Sequence, residues 1–186
     1  MNNEADLKIF EKAREARKLI IEMVYSAKSG HPGGSLSIID ILADLYFREI
    51  NIDPTNPNDP LRDRLVMSKG HASPALYSIL ALKGFFPKDL LLGFRRLNSK
   101  LEGHVHRGVP GVESSTGSLG QGLGIAVGMA LAGLLDKANY TVYAIIGDGE
   151  LERLAMGQGS TKDLIMSSAT FFSICRWLSL FPSPMK

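Results

Sequence analysis

The sequence is poor in features that would narrow its function at once. It has a single cysteine, Cys175, so no disulfide can form within the chain, and a reducing compartment is expected. Its 21 basic and 19 acidic residues give a formal net charge of +2. No clustered Lys and Arg face is present, so no nucleic-acid partner is predicted.

The sequence also lacks the apolar segments that direct a chain into or across a membrane. Residues 1–18 alternate acids and bases and contain no apolar core of a secretory signal. Residues 164–181 are apolar in part, but Ser167, Ser168 and Arg176 interrupt them, so no membrane anchor is predicted. We therefore expect a cytoplasmic protein without a membrane partner.

The sequence does have the composition of a globular domain, with 45% hydrophobic and 22% charged residues. Apolar residues recur at helical spacing over residues 7–27, and Gly30 is expected to end that helix. The runs "RLVM" and "TVYAII" predict short buried strands. Because strands alternate with helices, we predict an α/β fold with a mainly parallel sheet flanked by helices.

Further helices are predicted over "SIIDILADLYFREI", "ASPALYSILALKG", "KDLLLGFRRL" and "SLGQGLGIAVGMALAGLLD". In the second, Ser73 is the expected N-cap, Pro74 the first helical residue and Gly84 the stop. The last is apolar almost all round and rich in small residues, so it is predicted to be buried. The proline-rich stretch "NIDPTNPNDP" is predicted to be a loop.

Three of the four histidines follow glycine, namely His31, His71 and His104. Glycine lets the backbone approach a ligand while the neighbouring imidazole reaches it, which favours a binding or catalytic role. Turns also favour both residue types, so a structural role stays open for each. Zinc binding is not predicted, because neither cysteine pairs nor a His-x-x-x-His spacing is present.

Glycines recur in "STGSLGQGLG" just before the predicted buried helix, and amides at a helix N-terminus can bind phosphate. Close packing explains the same glycines, and the Rossmann pattern is not met because Ile125 takes its last position. In "IIGDGE", Asp148 lies between two glycines after a predicted strand, where a carboxylate can hold Mg²⁺ against a diphosphate. Gly-Asp-Gly is also common in plain turns.

Taken together, these motifs resemble one family. "SGHPGGSLSIIDILADLYF", "RLVMSKGHASPALYSILALKG", "GHVHRGVPGVESSTGSLGQGLGIAVGMALA" and "IIGDGEL" occur in the order and spacing of the N-terminal, cofactor-binding domain of transketolase. The resemblance covers residues 5–151 and is greatest to split transketolases, in which this domain is a separate chain. It implies an incomplete thiamin diphosphate-binding fold. It also implies an enzyme that transfers a two-carbon ketol unit between sugar phosphates.

The resemblance also implies roles for the histidines. His31 matches the family's histidine at the reacting hydroxyls of the substrate, and His104 matches the one at the donor carbonyl that assists proton transfer. Both are therefore expected to be catalytic. His71 matches the histidine beside the cofactor diphosphate. Histidine suits proton transfer near neutral pH, which agrees with these roles.

The remaining expected site residues hold the cofactor and its metal ion. Gly117, Ser118 and Leu119 match the segment that lies against thiamin diphosphate, and Gly149 matches the neighbour of the diphosphate. Asp148 matches the first ligand of the Mg²⁺ (or Ca²⁺) ion. Because the family's sites lie between subunits, the resemblance implies two partners, a C-terminal transketolase subunit that binds the pyrimidine and a second copy.

After Leu151 the sequence departs from the family. Arg153 stands where the family has a glutamate, and no asparagine follows Asn139 to supply the second metal ligand. We therefore predict a truncated cofactor-binding domain over residues 1–151 and a non-family tail over residues 152–186. A frameshift explains the tail best, since the Met156-Gly157 codons read one base later encode the family's tryptophan.

Two rival interpretations are open at this point. "SGHPGGSLS" also resembles 1-deoxy-D-xylulose-5-phosphate synthase, another thiamin diphosphate enzyme, for which pyruvate-dependent turnover would be diagnostic. Alternatively, the chain is a non-catalytic truncated fragment or interaction partner with an unpaired sheet edge. Under the transketolase interpretation, the chain alone is expected to show negligible ketol transfer.

Overall fold

The computed structural model describes residues 4–150 and the backbone of residues 171–175. The described helices are α1 (Glu4–Ala27), α2 (Pro32–Leu36), α3 (Ile39–Asp44), α4 (Ser73–Lys83) and α5 (Gln121–Leu135). The described strands are β1 (Arg64–Met67), β2 (Val142–Ile146) and β3 (Phe171–Cys175). The predicted tail lies outside the described residues, apart from β3.

The three strands form one sheet in the order β1-β2-β3. β1 and β2 are parallel and in register from Arg64 opposite Val142 to Met67 opposite Ile145. β3 runs antiparallel to β2, with Cys175 opposite Val142. Parallel neighbours need a long connection, and the segment between β1 and β2 contains α4 and α5.

The sheet has a packed layer on each face, because successive strand residues point to opposite sides. Leu65, Met67, Tyr143 and Ile145 join the larger core cluster, to which buried residues of α1, α3 and α4 belong. Val66, Val142, Ala144 and Ile146 form a smaller cluster with Ala126 of α5. The α/β fold with flanking helices is therefore confirmed.

The helix predicted over "SIIDILADLYFREI" consists of α3, Ile39–Asp44, followed directly by a π-helical turn over Leu45–Glu49. The short helix α2, Pro32–Leu36, precedes this segment. The segment "KDLLLG" forms a 3₁₀ helix, Lys88–Gly93. Apolar spacing alone does not distinguish these tighter or wider turns from an α-helix, because they differ in hydrogen bonding rather than in the residues they bury.

Helix ends agree with the prediction in one case and differ in two. Gly84 ends α4 at φ +103°, in the left-handed region that glycine favours. α1 ends earlier than expected, at Ala27, where Lys28 takes φ +49°. Ser73 is the first residue of α4 and not its N-cap, because its hydroxyl bonds to a different segment.

The prediction that α5 is buried all round is wrong. Its buried residues are Gly122, Ala126 and Gly133, which lie on one side. Val127, Leu131, Leu134 and Leu135 are 42%, 53%, 47% and 82% exposed. In the described part of the chain no helix is both long and apolar enough to cross a membrane.

Candidate functional site

The segments that follow β1 and β2 lie side by side, because the two strands are parallel. The Ser68 amide donates to the Ile145 carbonyl at 2.8 Å, which extends the pairing beyond the strands. The motif "SKGH" is therefore adjacent to the motif "GDGE" at the carboxyl edge of the sheet, where α/β proteins bind ligands.

Gly70 brings two further loops to this edge. A Cβ at Gly70 would lie 2.3 Å from the Thr116 carbonyl oxygen, so only glycine allows this approach. The Val105 amide donates to the Gly70 carbonyl at 3.1 Å, and the Thr116 hydroxyl donates to the Met67 carbonyl at 2.5 Å. The loops that carry His104 and Gly117 are thereby fixed beside the end of β1.

His31, His71 and His104 form one cluster. The ring centroids of His31 and His71 are 5.5 Å apart, and those of His31 and His104 are 6.4 Å apart. His31 and His104 are exposed, whereas His71 is partly buried. Residues 31, 71 and 104 come from three different loops, so the fold brings together all three histidines that follow glycine.

Two side chains of α4 hold the His104 loop in place. The Ser73 hydroxyl donates to the Gly103 carbonyl at 2.9 Å, and the Tyr77 hydroxyl donates to the His104 carbonyl at 2.9 Å. Both residues are buried. The Ser73 hydroxyl therefore bonds to the Gly103 carbonyl and does not cap the N-terminus of α4 as predicted.

The environment of His71 favours its uncharged form. Burial lowers the pKa of His71 below its usual value of 6.5, and proximity to His31 and Lys69 lowers it further. At neutral pH this imidazole is therefore neutral, with one nitrogen able to donate and the other able to accept a hydrogen bond.

The predicted cofactor segment borders the histidines. A Cβ at Gly117 would lie 3.2 Å from Cδ2 of His104, so Gly117 is within van der Waals reach of that ring. Ser118 and Leu119 are exposed beside it. The Gly120 amide, at the start of α5, donates to Glu150 at 2.9 Å, so this amide is already occupied by a protein carboxylate.

Asp148 and Gly149 are exposed in the first helical turn after β2. A Cβ at Gly149 would meet nothing within 4 Å, so the space in front of this turn is open. Within residues 4–150 and 171–175 no group of three or more His, Cys, Asp or Glu is arranged to hold a metal ion. The described residues of this turn therefore offer a single exposed carboxylate, Asp148, because Glu150 is buried.

Sequence reasoning missed two charged residues of this site. Lys69 is 5% exposed, and its ammonium donates to the Gly34 carbonyl at 3.2 Å and to the Ser37 hydroxyl at 3.4 Å. Burial lowers the pKa of Lys69, and the charges of Asp148 and Glu150 oppose that change. Glu150 is 1% exposed. Both residues belong to the motifs "SKGH" and "GDGE", but a sequence does not show which charges are buried.

Arg153, the residue that departs from the family's glutamate, lies outside the described residues. The same holds for every other residue of the predicted tail except the β3 backbone.

Comparison with known proteins agrees with this geometry. The family model for the transketolase, thiamine diphosphate binding domain matches residues 10–163, which is more than half of the chain. The predicted relation to the N-terminal domain of transketolase is therefore confirmed.

Two curated relatives are single subunits of transketolases. The chain is 51% identical over 149 residues to a subunit of the 6-deoxy-6-sulfo-D-fructose transketolase of Clostridium sp. (strain MSTE9), covering 80% of this chain and 54% of that protein. It is 44% identical over 151 residues to a subunit of the apulose-4-phosphate transketolase of Phocaeicola vulgatus, covering 81% and 52%. The chain thus spans about half the length of these relatives.

A solved structure shows the same fold. The transketolase from Campylobacter jejuni superposes on this chain with a TM-score of 0.74 at 40% sequence identity. The match covers 82% of this chain and 25% of that one.

Proposed function

This chain belongs to the transketolase family, and we propose that it binds thiamin diphosphate with Mg²⁺ and contributes half of a site that transfers a two-carbon ketol unit between sugar phosphates. One observation carries the proposal. His31, His71, His104, the Gly117 segment and the Asp148 turn, which are far apart in sequence, meet at the carboxyl edge of the parallel strands.

The residues present fit a diphosphate. Lys69 is a buried ammonium that donates to two neutral oxygens, and the charges of Asp148 and Glu150 act on it. A bound diphosphate would bring a further negative charge to this buried ammonium. His71 lies two residues after Lys69 and offers a neutral imidazole. A Cβ at Gly34 would lie 3.3 Å from the His71 ring, so the small residue leaves that ring uncovered. We infer that Lys69 and His71 face the diphosphate.

The metal ion proposed for this site is Mg²⁺, held by Asp148. Mg²⁺ binds through one or two carboxylates together with phosphate oxygens and water, which suits a single exposed carboxylate on an open turn. A soft transition metal would need additional nitrogen or sulfur ligands. Gly149, which has open space beside it, lets the diphosphate approach the same turn.

When bound, thiamin diphosphate supplies the carbanion chemistry that breaks a carbon–carbon bond. The chain's own contribution is to orient the substrate and to move protons. The exposed imidazoles of His31 and His104, 6.4 Å apart, can contact neighbouring hydroxyl and carbonyl groups of one sugar. Histidine exchanges protons near neutral pH, so we propose both as the general acid–base groups.

We propose that a partner covers the site. The relative from Phocaeicola vulgatus is named as one subunit of a transketolase, and this chain matches only half of its length. His31, His104, Asp148 and Gly149 are all exposed, so the described chain does not exclude water from them. The proposed partners are a second copy of this chain and a C-terminal transketolase subunit, with sugar phosphates as substrates.

The proposal is tested by titrating the purified full chain with Mg²⁺ and thiamin diphosphate in a calorimeter. We expect binding that disappears when EDTA removes the metal. Asp148→Asn removes the charged metal ligand, so we expect the affinity for Mg²⁺–thiamin diphosphate to fall by at least about ten-fold, which is about 1.4 kcal/mol.

Asp89→Asn provides the matched control. Asp89 is an exposed acid in the 3₁₀ helix Lys88–Gly93, so its loss changes the net charge equally while leaving the Asp148 turn intact. Equal affinities of the Asp148 and Asp89 variants, or binding that persists in EDTA, would contradict the proposed metal site.

A further inference from the structure

Glu150 is a buried carboxylate at the end of the turn that carries Asp148. It is 1% exposed, and among the described residues the charge of Lys69 acts on it. A buried carboxylate is costly unless hydrogen bonds compensate its lost hydration. The contacts of Glu150 therefore need an explanation.

Three hydrogen bonds provide that compensation, and each comes from a different segment. The Ser68 hydroxyl and the Gly120 amide donate to Oε1 at 2.8 and 2.9 Å. The Gly147 amide donates to Oε2 at 2.8 Å. Ser68 follows β1, Gly120 precedes α5, and Gly147 follows β2, so one side chain connects all three segments.

These segments carry the proposed cofactor residues. Lys69 and His71 follow Ser68, Gly117–Leu119 precede Gly120, and Asp148 follows Gly147. The distances between these cofactor residues therefore depend on the three hydrogen bonds that the Glu150 carboxylate accepts. The negative charge also lies at the N-terminus of α5, where the helix dipole favours it.

The three donors require a hydrogen-bond acceptor at both side-chain oxygens. A carboxylate accepts hydrogen bonds at both oxygens, whereas an amide offers one oxygen and turns an NH₂ group toward the remaining donors. In a glutamine side chain, the NH₂ group would therefore face at least one of these donors. At least one of the three segments would then lose its hydrogen bond.

We infer that Glu150 is a positioning residue that holds the β1, β2 and α5 segments at the spacing required for Mg²⁺ and the diphosphate, without touching either. This inference rests on the proposed function. The inference gives a role to Glu150, the last residue of "GDGE". Loss of the Glu150 carboxylate should therefore weaken cofactor binding more than it perturbs the rest of the fold.

The test compares Glu150→Gln with Glu113→Gln in the full chain. Glu113 is also largely buried, and it pairs with Arg62 near the opposite, amino end of β1. Amide hydrogen exchange without cofactor, followed by mass spectrometry, should show at least ten-fold faster exchange at Gly120 and Gly147 in Glu150→Gln only. The affinity for Mg²⁺–thiamin diphosphate should fall at least ten-fold in Glu150→Gln and less than two-fold in Glu113→Gln.

Each result is decisive. Unchanged exchange at Gly120 and Gly147 would overturn the inference whether or not the chain binds cofactor. Faster exchange with unchanged affinity would overturn the positioning role. Failure of the unsubstituted chain to bind Mg²⁺–thiamin diphosphate would instead contradict the proposed function. If Glu150→Gln does not fold, Ser68→Ala removes one donor and should weaken cofactor binding several-fold, and an unchanged affinity would overturn the inference.

Discussion

Gly70 shows how a single residue determines the geometry of the site. A Cβ there would lie 2.3 Å from the Thr116 carbonyl oxygen and 2.6 Å from the Thr116 carbonyl carbon, which are backbone atoms that cannot rotate away. This contact places the Thr116–Gly117 backbone against the loop of His71. The sequence predicted that glycine beside histidine lets the backbone approach a ligand, whereas the structure places Gly70 against Thr116 of the same chain.

We therefore expect Gly70→Ala to destabilise the chain by about 1–3 kcal/mol, the usual cost of overpacking. Urea unfolding at low protein concentration measures this change. Gly128→Ala is the control, because a Cβ at Gly128 would meet nothing within 4 Å, and alanine favours the α5 helix by about 0.5–1 kcal/mol. Equal stability of the two variants would show that the Thr116 contact relaxes at no cost.

At the scale of elements, α5 differs most from its prediction. Its glycines and alanines pack against the smaller core cluster, while Val127, Leu131, Leu134 and Leu135 recur at helical spacing on the outer side. The sequence predicted burial because both sides are apolar. A sequence does not show whether the second side is covered by the same chain or by another one, and in the described chain it is exposed.

This outer stripe predicts self-association, since exposed contiguous apolar surface marks protein interfaces. Replacing Leu131 and Leu134 together by lysine should weaken association by more than about ten-fold, because burying each leucine contributes about 1.5–3 kcal/mol. Sedimentation velocity over a range of concentrations measures it.

The matched control is Leu97→Lys, which changes a leucine that is 93% exposed and lies outside the helix. We expect this variant to associate as the unsubstituted chain does. A monomeric unsubstituted chain, or equal weakening by both changes, would be inconsistent with association through α5.

At the scale of the whole molecule, the site is open. Its residues lie at the carboxyl edge of the sheet, and the proposed catalytic histidines face solvent. Chemistry on a carbanion needs an environment from which water is excluded. The described chain forms one side of such a site, and we propose that another chain covers it.

We therefore expect the purified chain by itself to bind cofactor without detectable ketol transfer from xylulose 5-phosphate to ribose 5-phosphate. Formation of sedoheptulose 7-phosphate in a coupled assay is the measurement. Assaying the unsubstituted chain beside His104→Ala controls for contaminating enzyme, since that background would be the same in both. Turnover by the unsubstituted chain alone that is lost in His104→Ala would contradict the need for a partner.

The sequence by itself determined the family, the α/β fold, the parallel pairing of the two strands and the positions of the candidate histidines. It could do so because these depend on local signals, namely apolar periodicity, glycine at turns and motifs of fixed order. The roles assigned to His31, His71, His104 and Asp148, and the origin of residues 152–186, stay predictions.

Only the tertiary structure decided which charges are buried and what they hold. Lys69 and Glu150 are ordinary polar residues in the sequence, yet each is almost fully buried where the segments after β1 and β2 meet. Their contacts join residues as far apart as Ser68 and Glu150, so no local pattern encodes them. The exposure of α5 was decided in the same way, because burial depends on what the rest of the chain places against a helix and not on the helix itself.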